Sequence, residues 1–305
     1  MLAVNRMFHK SEPDAFSSYH PVILFFYFCV VFFFCMFCLH PAILTISLFS
    51  VFLYSVILNG WKAVKFSACM LPVIITVAAG NPLLNHAGIT ILFYLNNNPV
   101  TLESIVFGII YALAFFSVII AFSCFNRIMT SDKLMYLFGR LIPILSLMFS
   151  MTLRFIPRYK AQLKRITDAQ KCIGMDPAHG NIMRRVKSGV RIISILMTWA
   201  LENAMESADS MKARGFGLKG RTSYSIFTWN KRDKILLSAE LLIFGFLFTG
   251  LFMGEFESVY IPAIRISGLD GRASVFYLLY ALFCLIPVIA DSKENIAWNR
   301  SKSAD

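Results

Sequence analysis

The chain has 305 residues, 57% of them hydrophobic, with 30 phenylalanines and a formal net charge of +12. Its mean hydropathy is +0.66. Soluble globular domains are about 45–50% apolar, so the composition argues against a soluble domain. The positive charge is of the kind that collects in cytoplasmic loops of membrane proteins, and no RNA- or DNA-binding module accompanies it to make nucleic acid a partner.

A membrane helix needs roughly 20 mostly apolar residues. Segments 21–39, 42–59, 64–80, 104–125, 235–253 and 273–290 meet that need. The first run follows a polar leader, and no small-residue cleavage site comes after it. It is therefore expected to stay as an anchor rather than be removed as a signal. His40-Pro41 separates the first two spans as a tight hairpin, and Asn59-Gly60 separates the second from the third.

Charge orients the spans. Arg6 and Lys10 in the leader, Lys62 and Lys65 in the 59–65 turn, and Arg127, Lys133 and Arg140 in the next loop belong inside. The 81–103 loop carries Glu103 and no lysine or arginine, so it belongs outside. The mixed 254–272 loop fits outside, and the tail with Lys293, Arg300 and Lys302 fits inside. The expectation is a multi-pass protein of the cell membrane with both termini cytoplasmic.

The middle is different. Apolar stretches 141–153 and 192–201 are too short for spans, and ten lysines and arginines from Arg154 to Arg191 lie between them. Segment 137–215 therefore reads as long amphipathic helices that begin buried and end exposed. In the first, Tyr159, Leu163, Ile166 and Ile173 share a face. In the second, Val186, Val190, Ile193, Met197, Ala200, Ala204, Ala208 and Met211 form a stripe whose small members permit close helix crossing. Pro157 marks a kink or a helix start, and Asp176-Pro177 a stop. The expected domains are an N-terminal transmembrane bundle (1–125), a coupling-helix region (126–234), and a C-terminal transmembrane pair with its tail (235–305).

The two amphipathic helices end alike. One reads Asp168-Ala169-Gln170-Lys171-Cys172-Ile173-Gly174 and the other Asp209-Ser210-Met211-Lys212-Ala213-Arg214-Gly215, with the same spacing from Asp to Gly. Glycine just past a helix commonly adopts the left-handed C-terminal cap, and Lys171, Lys212 and Arg214 suit the negative end of the helix dipole. A glycine-capped tip can also enter a groove, where the arginine before it makes forked, charge-assisted bonds. The candidate docking residues are Cys172, Ile173 and Gly174 at one tip and Ala213, Arg214 and Gly215 at the other. Asp168, Lys171, Asp209 and Lys212 support them.

With these tips on the page, the chain resembles the T component (EcfT/CbiQ-like) of energy-coupling factor, or ECF, transporters. Segment 206–217 matches that family's second Ala-Arg-Gly motif, with Arg214 at the arginine. Similarity continues at His40-Pro41, at Asn81-Pro82-Leu83-Leu84-Asn85-His86 and at Arg154-Phe155-Ile156-Pro157-Arg158, and covers most of the chain. The resemblance implies an all-α integral membrane protein of about six transmembrane helices plus long amphipathic cytoplasmic coupling helices. It implies that the helix tips dock into two cytoplasmic ABC ATPase subunits, while a small membrane substrate-binding subunit packs elsewhere. Vitamins or transition metals are the cargo classes. One departure stands out: Ile173 occupies the position where the family often has the charge, which implies one polar and one mainly apolar joint.

Other function classes fare less well. His9, His20, His40, His86 and His179 are scattered without a His-Glu-x-x-His, and no Gly-x-Ser-x-Gly elbow is present, against an intramembrane enzyme. His86 with Asn81 and Asn85 reads as a turn, and Glu240, within two turns of Lys234, reads as a snorkelling or partner-facing acid. The glycine-rich 217–223 segment lacks the Gly-Lys-Ser/Thr end of a P-loop, so the chain is no ATPase by itself. A secondary transporter would repeat its spans, whereas the echo lies in the amphipathic helices. Of seven cysteines, six (Cys29, Cys35, Cys38, Cys69, Cys124 and Cys284) sit in apolar runs as small hydrophobes. Cys35-x-x-Cys38 lacks the second pair a structural zinc needs. No catalytic residue, metal site, disulfide framework or cofactor is expected.

Overall fold

The computed structural model describes residues 15–85, 88–95, 98–141, 143–175, 181–216, 227–260, 262–266 and 271–292. Arg6, Lys10, His86, Asp176-Pro177, His179, the 217–223 segment, Lys293, Arg300 and Lys302 lie outside them. In chain order the elements are α1 (Pro21–Phe37), α2 (Pro41–Asn59), α3 (Trp61–Leu84), β1 (Ile91–Leu95), β2 (Asn98–Thr101), α4 (Leu102–Ile128), α5 (Ser131–Leu141), α6 (Pro143–Cys172), α7 (Ile182–Ala213), α8 (Lys231–Phe252), β3 (Ser258–Val259), β4 (Arg265–Ile266) and α9 (Gly271–Cys284). The chain is an all-α integral membrane protein in its architecture, relieved by two small antiparallel hairpins, β1–β2 and β3–β4.

Four of the helices, α2, α3, α4 and α8, are each long and apolar enough to cross a membrane. A fifth candidate is α9 taken together with the segment Ile286–Ser292, bent by 47°, and α1 is an apolar helix of 17 residues. The bend has a covalent cause. Pro287 has no N–H to return to the carbonyl four residues back and its ring crowds that carbonyl. The neighbouring Cys284 carbonyl, also at the break, accepts from the Tyr27 hydroxyl at 2.9 Å and the Ser50 hydroxyl at 2.7 Å.

The described residues within 1–130 and 227–305 form one compact unit, and those within 131–226 a second. In the first unit α4 packs against α1, α2 and α3, while α2 meets α9 and α1 meets α8. Its core is aromatic: Phe16, Tyr27, Phe34, Tyr54, Tyr280 and Phe283 are buried. Leu71, Val73 and Ile75 of α3 stay exposed, as lipid-facing side chains should. Gly108 of α4 allows a close crossing, because a β-carbon there would lie 2.6 Å from the Ala78 carbonyl oxygen.

Both early helices begin with the same device. His20 and His40 stand just before Pro21 and Pro41, and each accepts through Nδ1 from the backbone N–H two residues on, at 3.4 and 3.3 Å. Proline at the first helical position costs no hydrogen bond, and the imidazole takes the place of the usual Ser or Asp cap. His40 Nε2 meets the Tyr277 hydroxyl at 3.1 Å, and His20 stacks on Trp229 at 3.8 Å.

The second unit consists of α5, α6 and α7. Residues 143–153 of the first short apolar stretch and all of the second turn out to be parts of helices of 30 and 32 residues. Pro157 neither starts nor ends a helix, since α6 runs through it; one missing backbone donor is outweighed by the hydrogen bonds on either side. The α7 stripe is divided. Val186, Val190, Ile193 and Met197 are exposed, while Ile192 and Asn203, one position off that line, are buried.

Candidate functional site

The two helix ends share one geometry. At the end of α6, Gly174 donates to the Lys171 carbonyl at 2.9 Å and Met175 to the Gln170 carbonyl at 3.0 Å. At the end of α7, Gly215 donates to Lys212 at 3.0 Å and Phe216 to Met211 at 3.0 Å. These paired bonds define a Schellman motif. Gly174 and Gly215 have φ of +75° and +80°, a left-handed conformation that glycine adopts without steric cost.

The residue before each glycine is therefore the helix C-cap: Ile173 in one tip, Arg214 in the other. Ile173 is 65% exposed, and Arg214 is exposed as well. One turn earlier, Lys171 lies 3.9 Å from Asp168 and Lys212 lies 3.8 Å from Asp209. Such exposed i,i+3 pairs contribute only a few tenths of a kcal/mol each, so they order the last turn more than they stabilise the protein. Nothing lies within 4 Å of where a β-carbon on Gly174 would sit; that glycine is there for its backbone, and the tip around it is open.

Beside the α7 tip runs a cleft between α6 and α7 of about 770 Å³, lined by Arg154, Arg158, Asn203, Glu206, Ser210 and Arg214, with Met151, Phe155 and Met211 also in its lining. Arg158 is held in place. It donates through Nη1 to Asn203 Oδ1 at 2.9 Å and lies 5.5 Å from the Trp199 ring centre, while Trp199 meets Tyr159 edge-on at 5.6 Å. Sequence reasoning noted the 154–158 run but not this cleft, because its other wall comes from residues more than 40 positions away. The i,i+4 spacing of Arg154 and Arg158 was the available signal.

Other expected residues fall elsewhere. Asn81 and Asn85 close α3, and the Asn85 carbonyl accepts from the Ser104 hydroxyl at 2.6 Å. Glu240 neither snorkels nor faces outward. It is fully buried, and neither carboxylate oxygen has a hydrogen-bond partner among the described residues, because it projects from the inward side of α8. Cys35 and Cys38 are buried free thiols, and no group of three or more His, Cys, Asp or Glu suited to a metal occurs among the described residues.

The CbiQ family model, described as cobalt transport protein, matches residues 9–224. The chain belongs to the CbiQ family. Relatives include proteins named energy-coupling factor transporter transmembrane protein EcfT. That of Streptococcus thermophilus (strain ATCC BAA-250 / LMG 18311) is 38% identical over 105 residues, 34% of this chain and 40% of the relative. Those of Lactococcus lactis subsp. cremoris (strain MG1363) and Bacillus subtilis (strain 168) are 36% identical over 100 residues and 35% over 105. They cover 32% and 34% of this chain and 38% and 40% of the relatives. The chain thus spans about two fifths of the length of the curated relatives it matches.

Proposed function

We propose that this CbiQ-family chain is the transmembrane scaffold subunit of an ECF-type importer. Two cytoplasmic ABC ATPase subunits dock at the tips, one at Cys172, Ile173 and Gly174, the other at Ala213, Arg214 and Gly215. A small membrane substrate-binding subunit packs elsewhere and selects the cargo, a vitamin or a transition metal. The chain supplies no catalytic residue, since ATP hydrolysis belongs to the partners. Both termini lie on the cytoplasmic side by the distribution of lysine and arginine.

One observation carries the reading: two long helices of one unit end in the same glycine cap, with the same acid–lysine pair one turn back. A rigid helix with a fixed terminus transmits a push along its axis, and a pair of such ends matches a pair of ATPase subunits. ATP-driven closure of that pair would move both tips together.

The test is affinity purification of the tagged protein from its native membrane, with mass spectrometry of what accompanies it. P-loop ATPases and a small hydrophobic membrane protein are expected, and Arg214→Ala is expected to lose ATPase while staying folded. Recovery of the folded chain without any ATPase, or full ATPase recovery and uptake in Arg214→Ala, overturns the reading.

A further inference from the structure

The cleft between α6 and α7 carries more positive charge than a docking tip requires. Arg154, Arg158 and Arg214 line it together with one carboxylate, Glu206. Among the described residues none of the three arginines forms an ion pair with a carboxylate. Arg158 has a neutral oxygen and an aromatic ring as its neighbours. That arrangement fixes a guanidinium while leaving its charge uncompensated and its remaining N–H groups available. Arg154 follows one helical turn away on the same face. The Ser210 hydroxyl adds a donor to the same cleft.

Several forked cations converging on one concave space are suited to an oxygen-rich anion, and the guanidinium fork matches phosphate oxygens in pairs. The volume lies in the range of about 300–1,000 Å³ usual for small-molecule sites. We propose that this cleft binds a phosphate group. The rest of the lining points to its source. Met151 and Phe155 of α6 and Met211 of α7 add apolar surface to the same lining, and Met148 and Phe149, one turn earlier on α6, are 57% and 60% exposed. A phospholipid headgroup with the start of its acyl chains uses both the cationic and the apolar lining residues, whereas a free phosphate ion uses only the cationic ones.

Native mass spectrometry of the full-length protein in detergent tests this with phosphatidic acid, with diacylglycerol of the same acyl chains, and with inorganic phosphate as competitor. The wild type is expected to retain phosphatidic acid about tenfold more than diacylglycerol, and Arg154→Gln to lose about tenfold of that retention. Arg154 is exposed and has no partner among the described residues, so the variant is expected to melt like the wild type. Arg154→Glu is the second variant, with retention expected to vanish. Displacement of the lipid by millimolar phosphate supports the cleft with a free anion as ligand, and persistence of the lipid supports it with the headgroup as ligand. Equal retention of diacylglycerol and phosphatidic acid, or wild-type retention in both Arg154 variants, overturns the proposal. ATPase recovery in the same preparations separates it from the docking reading, because Arg154 takes no part in either tip.

Discussion

Ile173 and Arg214 hold the same position in two matching helix termini. Each is the last residue before a left-handed glycine, and each lies five residues beyond an aspartate that pairs with a lysine three positions on. The backbone therefore presents an isoleucine at one tip in the geometry that presents an arginine at the other. Whatever receives the two tips meets one apolar end and one cationic end.

That asymmetry is exchangeable. If the tips dock ATPases as proposed, Ile173→Arg is expected to strengthen their retention at the first tip by about tenfold or more, since a charge-assisted bond contributes about 1.5–3 kcal/mol where a carboxylate or carbonyl receives it. Combining Ile173→Arg with Arg214→Ile is expected to restore part of what Arg214→Ile alone removes. Quantitative pull-down of the ATPases with the four proteins reads this, and identical recovery from all four would falsify it.

The caps are backbone devices, and their loss has a predictable size. Gly174→Ala meets no steric neighbour, so its cost is that of left-handed backbone alone, about 1 kcal/mol. Gly174→Asn, which tolerates that conformation better, is expected to cost less. Faster hydrogen exchange in the last turn of α6, with little change in melting temperature, is the expected signature; a large drop in melting temperature would show that the tip is tied into the rest of its unit.

Gly108 and Gly245 make a contrasting pair. A β-carbon at Gly108 would sit 2.6 Å from the Ala78 carbonyl oxygen and 3.1 Å from Asn81 Cβ, whereas one at Gly245 meets nothing within 4 Å. Gly108→Ala is expected to separate α3 from α4 at a cost of ~2 kcal/mol. Gly245→Ala is expected to be neutral or stabilising by up to ~1 kcal/mol through helix propensity. Melting in detergent distinguishes them, and an unchanged midpoint for Gly108→Ala would contradict the close crossing.

Acid is expected to loosen the start of α1. Burial lowers the pKa of His20 from 6.5, and the Asp233 carboxylate only partly opposes this. The unfolded chain then binds more protons than the folded one between the lowered value and 6.5, so stability falls as pH drops through that window and levels off below it. The neutral imidazole is also the form that accepts from Val22. A lower melting temperature at about pH 5.5 than at about pH 7.5 is expected, with His20→Asn keeping a cap and flattening the difference. Equal pH dependence in both proteins would assign it to other groups.

The helix tips were legible because a Schellman cap is local: aspartate, lysine and glycine within seven residues fix it. The apolar helices were legible because a membrane demands long runs of one composition. The β1–β2 hairpin was not. Ile91-Leu92-Phe93-Tyr94-Leu95 is continuously apolar, without the alternation that marks a strand. Its anchor, the Glu103 carboxylate accepting from the Thr90 hydroxyl at 2.7 Å, lies across the turn in space. The burial of Glu240 and the pinning of Arg158 by Asn203 and Trp199 were equally out of reach, since both depend on which face of a helix meets a neighbour far along the chain.

The bonds that close the first unit join residues made far apart in the course of synthesis. The Phe16 N–H donates to Asp291 Oδ1 at 3.0 Å across 275 positions, and Tyr27 reaches Cys284 across 257. At about 5–20 residues per second, the early helices leave the ribosome well before their last partner exists. Helices α1 to α4 must therefore wait in the bilayer part-assembled, with the faces for α8 and α9 covered by lipid. Meanwhile α5 to α7, whose side-chain hydrogen bond from Arg158 to Asn203 spans only 45 positions, can settle first. The unit built from two separated segments of the chain is the one finished last.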